Sequence, residues 1–468
     1  MILFMSTLFE TCMGNYSLGF LPTLLHWFGV TWLDVGTHQG RIRAVQSLST
    51  LVAYIVTGYL IDRVAAVKVF VAFLLFQVVV MTGCAFVFDI QTLYAASVLI
   101  GIVSCNALAA KCVAFQISNE SNAPHVLNYG LSTPMNLAAL VGPTIGGYLA
   151  LPTVQYPQLF QHTSFLHTFP LWLPSIVMAL MLLITFLLSF SISSSLAQSK
   201  QMEVPKSEQE SLLSLDDSAQ DCKTANGDSQ YSTLQCNLDD SNIWSLRSYI
   251  DFLKQRNIIC LFTVKCLYTL SGTGLPKLYS LWVLSPHSDG GMGYSLKESA
   301  NLTACTAILL FFADLVVPAF ILKLLGHRNS LCASLITLSL VISMFWLPAR
   351  MPYKNVAFVT ISLSFLVARV ATAIAKLATW AMLKNIIPEG IIGRVMAVDS
   401  CLFSVFSILG DLMIGGCFSW SLSNVKTSSG HVMFPMNEPF TFYLLSMLAM
   451  LASFAARMCT KDAEKSQL

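Results

Sequence analysis

Charged side chains stranded in otherwise apolar stretches are the residues of this sequence whose type and place could do chemistry. The acids are Glu10, Asp314, Asp399 and Asp411, and the bases are Lys111, Lys265, Lys277, Arg369 and Lys376. In hydrocarbon a charge costs several kcal/mol unless it is paired or faces water, so each is a candidate for binding a charged solute or carrying a proton. Arg369 and Lys376 are two helical turns apart, so a helix puts both on one face with Thr372 between them. That stripe can hold a carboxylate, and it can equally pair with Asp314 or Asp399 on neighbouring segments. Lys277 follows Pro276 in SGTGLPK. A helix broken at the proline would bring the lysine to a substrate site, whereas a lysine near a helix end would snorkel to the surface. Glu10 lies near Gly14 and Asn15, a setting for a carboxylate that takes up and releases a proton. Asp399 lies near the end of its apolar run and also reads as a solvated helix cap. Lys111 is likewise near the end of its run.

The elements that must position these residues are membrane helices. Of 468 residues 55% are hydrophobic and 11% charged, against roughly a quarter charged in soluble domains, so lipid is the solvent for much of the chain. A helix needs about 20 mostly apolar residues to cross a bilayer, and twelve runs qualify: about 3–28, 44–61, 66–88, 91–115, 127–150, 170–191, 257–283, 299–324, 329–347, 354–378, 396–420 and 438–458. The first begins at once with MILFMSTLF and reads as a span, not a cleaved signal. The division expected is a six-helix bundle over 1–192, a linker over 193–256, a second bundle over 257–458 and a tail over 459–468. The linker is rich in Ser, Gln, Asp and Glu. It has too little apolar surface to order itself. Lys and Arg are denser on the linker side, including Arg63, Lys68, Lys323, Arg328, Lys384, Arg394 and Arg457, than on the other, which holds Arg41, Arg43, Lys297, Arg350, Lys354 and Lys426. Both termini and the linker are therefore expected in the cytoplasm.

Other classes find little support. The net charge of +2 gives no reason to invoke nucleic acid. Most of the 13 cysteines sit in apolar runs, and neither CxxC nor HxxxH occurs. His162 and His167 share a loop without an acidic neighbour, short of the three or four ligands zinc needs. No metal or cofactor site is read, and no nucleophile–base pair or phosphate-cradling loop points to an enzyme. The partners expected are the bilayer and a small molecule or ion.

Four segments carry a resemblance. The turn after the second run reads Gly58-Tyr-Leu-Ile-Asp62-Arg63, which resembles the G-x-x-x-D-R core of the major facilitator signature loop, without its following Gly and basic pair. The fifth run carries Gly142-Pro143-x-x-Gly146-Gly147, a kink flanked by close-packing glycines, similar to the G-P-x-x-G-G element of major facilitator antiporters. That element continues through Tyr148, Leu149, Ala150, Pro152, Tyr156, Pro157 and Phe160 in register with the zinc-induced facilitator-like family of plants and fungi. Leu281, Trp282, Ser285, Pro286, Gly290, Gly291 and Tyr294 match that family's L-W-x-x-S-P pattern, and Gly410, Gly415, Phe418, Ser419 and Trp420 match in the eleventh run. The sequence departs from the family at Ser97, where a fourth-span arginine associated with proton coupling is expected, and at Lys277 and Asp411.

The resemblance implies an all-α major facilitator fold of twelve helices in two six-helix bundles about a central cavity. It also implies a solute carrier that exchanges protons for small organic ions or metal chelates. Five bases and four acids in the runs suit an anionic or zwitterionic solute better than bare zinc. The departures keep two rivals open: a proton-independent facilitator, and a receptor or scaffold that has kept the fold.

Overall fold

The computed structural model describes residues 2–63, 66–104, 106–117, 127–160, 163–202, 254–287, 291–387, 392–427 and 439–458. These are helical, with no strand among the described residues. The long helices are α1 (Ile2–Asn15), α2 (Leu21–Trp27), α3 (Trp32–Arg63), α4 (Ala66–Cys84), α5 (Ile90–Val103), α6 (Asn106–Ile117), α7 (Thr133–Leu149) and α8 (Trp172–Met202). After the linker follow α9 (Arg256–Leu284), α10 (Leu296–Leu325), α11 (His327–Met344), α12 (Lys354–Ile386), α13 (Ile392–Thr427) and α14 (Phe440–Met458).

Each of the twelve apolar runs falls on this set, the first on α1 and α2 together and the fourth on α5 and α6. Among the described residues eight spans qualify as membrane-crossing by length and composition alone, and Lys68–Cys84 of α4 is a shorter apolar helix. The first run is interrupted by a 3-10 turn over Tyr16–Gly19, and α7 is only 17 residues long. Large apolar side chains such as Val52, Val79, Leu187, Phe312, Val316, Val359 and Phe454 are exposed on the outside, as a lipid-facing surface requires.

Three sequence expectations are corrected here. The second helix begins at Trp32, well before residue 44, so Arg43 is an internal helix residue and not part of a loop. Pro276 does not break its helix: α9 runs without interruption from Arg256 to Leu284. The linker starts late, because α8 continues to Met202. Residues 203–253 and the tail lie outside the described residues.

The packing repeats itself. In the first half α1 packs on α7, α3 on α5 and α4 on α8; in the second α9 packs on α13, α10 on α12 and α11 on α14. Span for span, this is one arrangement used twice. The halves meet through two equivalent seams, α3 on α13 and α7 on α10. Glycine makes the first seam possible: a Cβ on Gly36 would lie 2.7 Å from the Ser419 hydroxyl and 2.9 Å from the Gly415 carbonyl. In the second seam Gly147 faces Ala300 of α10, while Gly142 and Gly146 face the opposite way, onto the backbone of Cys12 in α1 and of Tyr16 in the 3-10 turn after it. The Gly142-Pro143-x-x-Gly146-Gly147 element therefore lets α7 touch both its own half and the other one. The helix continues through Pro143.

Candidate functional site

Between the halves lies a cavity of about 290 Å³ lined by α1, α3, α6, α7, α9, α12 and α13. Its polar lining includes Glu10, Arg43, Gln46, Lys111, Lys265, Lys277, Arg369, Thr372, Lys376 and Asp411, and its aromatic lining Tyr54, Tyr268, Trp380 and Phe403. A hollow of similar size between α10, α11 and α12 has an almost wholly apolar lining, including Ala313, Leu366 and Val370, and offers no charged group.

The candidate ions do not simply line up along the wall. Lys265 of α9 pairs with Asp399 of α13, both buried, and Asp399 is fully covered. The solvated-cap reading of Asp399 is thereby overturned. Lys277 pairs with Asp411 and donates to the Ser407 hydroxyl at 3.2 Å. It does not snorkel: its side chain is 14% exposed and faces the cavity. Asp411 also accepts from the Ser47 hydroxyl of α3 at 3.3 Å. Two lysine–aspartate pairs thus tie α9 to α13, one with its aspartate behind the cavity wall and one with both members on it.

Arg369, Thr372 and Lys376 share the cavity-facing stripe of α12. Lys376 donates to the Asn136 side-chain oxygen at 3.0 Å, and the Asn136 amide nitrogen donates to Asp314 Oδ2, also at 3.0 Å. Asn136 belongs to α7 in the first half, whereas both ions belong to the second. One fully buried amide therefore spans the α7–α10 seam with a charge at each end. Lys111 of α6 crosses between the halves as well, donating to Ser400 of α13 at 3.2 Å. Glu10 is 4% exposed, and neither carboxyl oxygen has a hydrogen-bond partner among the described residues. Lys111, Gln77 and the Ala107 backbone are the polar groups whose influence reaches it.

Gly58 faces Ala397 of α13, with 3.6 Å between a built Cβ and the alanine Cβ. Asp62 and Arg63 close α3, but their side chains lie outside the described residues. Ser97 is buried and spends its hydroxyl on the Leu93 carbonyl at 2.8 Å. His167 packs its ring edge-on against Trp27, and His162 lies outside the described residues. No cluster of three or more metal-binding side chains occurs among the described residues.

Arg43 and Asn136 are among the residues of the site that the sequence does not mark as such. Arg43 was counted with a loop because hydropathy falls over 32–43, yet the Gly36-x-x-x-Gly40 spacing was a signal for close helix packing there. Asn136 is uncharged, and nothing in its neighbours' spacing marks it.

A profile described as Major Facilitator Superfamily matches residues 3–410. The chain belongs to the Major Facilitator Superfamily. It is thus a multi-pass membrane transporter and not an enzyme, with the bundle-and-seam packing above as its fold. Among curated relatives it is similar to Protein ZINC INDUCED FACILITATOR-LIKE 1 of Arabidopsis thaliana, 24% identical over 428 residues, covering 89% of this chain and 82% of the relative. A probable peptide/nitrate transporter of the same plant is 23% identical over 437 residues, with the same coverage. Among solved structures, the human organic anion transporter MFSD10 (TETRAN) superposes with a TM-score of 0.59 at 14% identity, covering 97% of this chain and 98% of that one.

Proposed function

We propose that this major facilitator protein is a secondary active carrier of a small organic anion or zwitterion, exchanged against protons by alternating access. The observation that carries the reading is the charge of the cavity. Six basic side chains line it, and the acids within reach are Glu10, Asp411, Asp399 and Asp314. Asp399 and Asp411 are each matched to a lysine, and Asp314 stands behind Asn136. The cavity therefore has more positive than negative charge, and an anionic solute corrects the imbalance. The name of the structural neighbour, an organic anion transporter, agrees with this class. Bare zinc has no clustered ligands to hold it among the described residues.

Glu10 supports the proton half of the reading. A buried carboxyl with no fixed hydrogen-bond partner among the described residues, beside a lysine from another helix, can exchange a proton for a salt bridge as the halves rearrange. A proton-independent facilitator is the second reading, favoured by Ser97, which offers no charge to couple.

Uptake into proteoliposomes separates the two. The panel holds small carboxylates, amino-acid chelators with and without zinc, free zinc and potassium, each with and without an acid-inside pH gradient. Gradient-driven uptake of carboxylates or chelators is the expected result. Glu10→Gln should abolish the driven component while leaving solute-for-solute exchange. Uptake indifferent to the gradient in the unmodified protein would establish the facilitator instead.

A further inference from the structure

Arg43 and Arg369 both bring a guanidinium to the cavity with no ion pair among the described residues, but only Arg43 has a whole two-nitrogen edge unpartnered there. Arg43 is 5% exposed in the middle of α3 and lines the central cavity. Its Nη1 is committed twice, donating to the Gly14 carbonyl at 2.9 Å and to Gln46 Oε1 at 3.1 Å. The Gly14 carbonyl is free to accept because α1 ends at Asn15 and the chain turns into a 3-10 segment. These two bonds fix the plane of the guanidinium. Its other edge, formed by Nε and Nη2, is buried and has no acceptor among the described residues.

That edge carries two parallel N–H groups at the spacing of the two oxygens of a carboxylate, the geometry in which arginine binds oxyanions bidentately. Buried donors left unmet are destabilising, and an entering oxyanion removes that penalty. The carboxylate whose field reaches Arg43 is that of Asp411. It is already gripped by Lys277 and Ser47. A lysine would fit the site poorly, because a point charge has no fork to orient.

We infer that the Nε–Nη2 edge of Arg43 is the oxyanion anchor of the cavity, taking the carboxylate of an organic acid. The aromatic side chains of Tyr268 and Trp380 in the same cavity suit a flat apolar body on that acid. This rests on the reading that the cavity takes an organic anion, and deepens it by naming the residue that recognises the charge.

The test is direct binding to the full-length purified protein in nanodiscs, using radiolabelled 2-naphthoate and its uncharged amide, 2-naphthamide. The unmodified protein should prefer the carboxylate by about tenfold or more, the equivalent of one well-made ionic contact. Equal binding of the two would overturn the anion reading and the anchor with it. Arg43→Lys, which keeps the charge and removes the fork, should bring the preference down to about threefold or less, with naphthamide binding retained as the check on folding. Full preference in Arg43→Lys would overturn the anchor alone. Gln46→Glu leaves the guanidinium in place but supplies an internal carboxylate beside it. It should weaken naphthoate and not naphthamide, and unchanged naphthoate affinity would again sink the anchor. A third arm repeats Arg43→Lys in an Asp411→Asn background. Loss of the preference there supports the anchor, and no effect would show that Arg43 acts only through Asp411.

Discussion

At the residue scale, the two lysine–aspartate pairs look alike in sequence and differ in what they face. Lys265 reaches the cavity lining but its partner Asp399 is fully covered, whereas both members of Lys277–Asp411 line the cavity and Ser47 touches Asp411 from the other half. Removing Lys265 leaves a bare charge in a low-dielectric interior. Lys265→Met should therefore destabilise by about 3–5 kcal/mol, and adding Asp399→Leu should recover most of it. Thermal unfolding in detergent reads both steps, and the double variant should still transport. The equivalent double variant at Lys277 and Asp411 should recover stability but lose gradient-driven uptake. A double Lys265/Asp399 variant that folds and does not transport would erase this distinction. The sequence announced all four ions, because charges in apolar runs are conspicuous. It could not announce the pairing, since each partner is more than a hundred residues away and either aspartate could have served either lysine. Asn136 was invisible for a related reason: an amide becomes important only when two ions arrive at its two ends.

At the element scale, hydropathy located the helices and misjudged their ends. The case of α3 shows why. Its first third carries Asp34, His38, Arg41 and Arg43, so no apolar window covers it. The backbone hydrogen bonds of a helix do not depend on hydropathy, and this stretch is packed against α13 through Gly36 and Gly40. Pro276 failed as a helix breaker because a membrane helix surrounded by neighbours tolerates proline. Helix starts were more legible where a cap is present. Asp89 precedes α5 and accepts from both the Thr92 backbone N–H, at 2.7 Å, and its hydroxyl, at 2.6 Å, while the Asp89 N–H donates back to Thr92 Oγ1 at 3.1 Å. Those bonds, the hydroxyl's first, hold the Asp89 carboxyl below its ordinary range. A carboxyl depressed in the folded state stabilises above its unfolded pKa, and that contribution disappears as pH falls through the folded value. Asp89→Ala should therefore lower the unfolding temperature at neutral pH. The difference from the unmodified protein should shrink as pH drops below about 4, the ordinary aspartate value. A gap that is constant from pH 7 to pH 3 would show that the carboxylate is not the capping group.

At the scale of the whole molecule, the repeated packing dictates how motion can occur. Each half is tied internally by the same three helix pairings, and the halves touch along α3–α13 and α7–α10. Rocking of one half on the other must then part these seams at one end while closing them at the other. The α3–α13 seam offers a probe near each end. Near its start the Thr37 backbone N–H donates to the Ser419 hydroxyl at 3.1 Å, and towards the linker side Gly58 meets Ala397. Cysteines introduced at Thr37 and Ser419 should cross-link spontaneously under oxidation, as should cysteines at Gly58 and Ala397. Alternating access requires both contacts to open within one cycle, so either cross-link alone should arrest net uptake, and reduction should restore it. Single-cysteine variants with the native cysteines in place control for pairing with the eight free thiols of the described residues. Arrest by one cross-link and not the other would mean that the seam hinges about the tolerated end, with all opening on the opposite side. Full transport with both cross-links formed would remove rocking of the halves as the transport motion, and would direct attention to the α7–α10 seam, where Asn136 bridges Asp314 and Lys376.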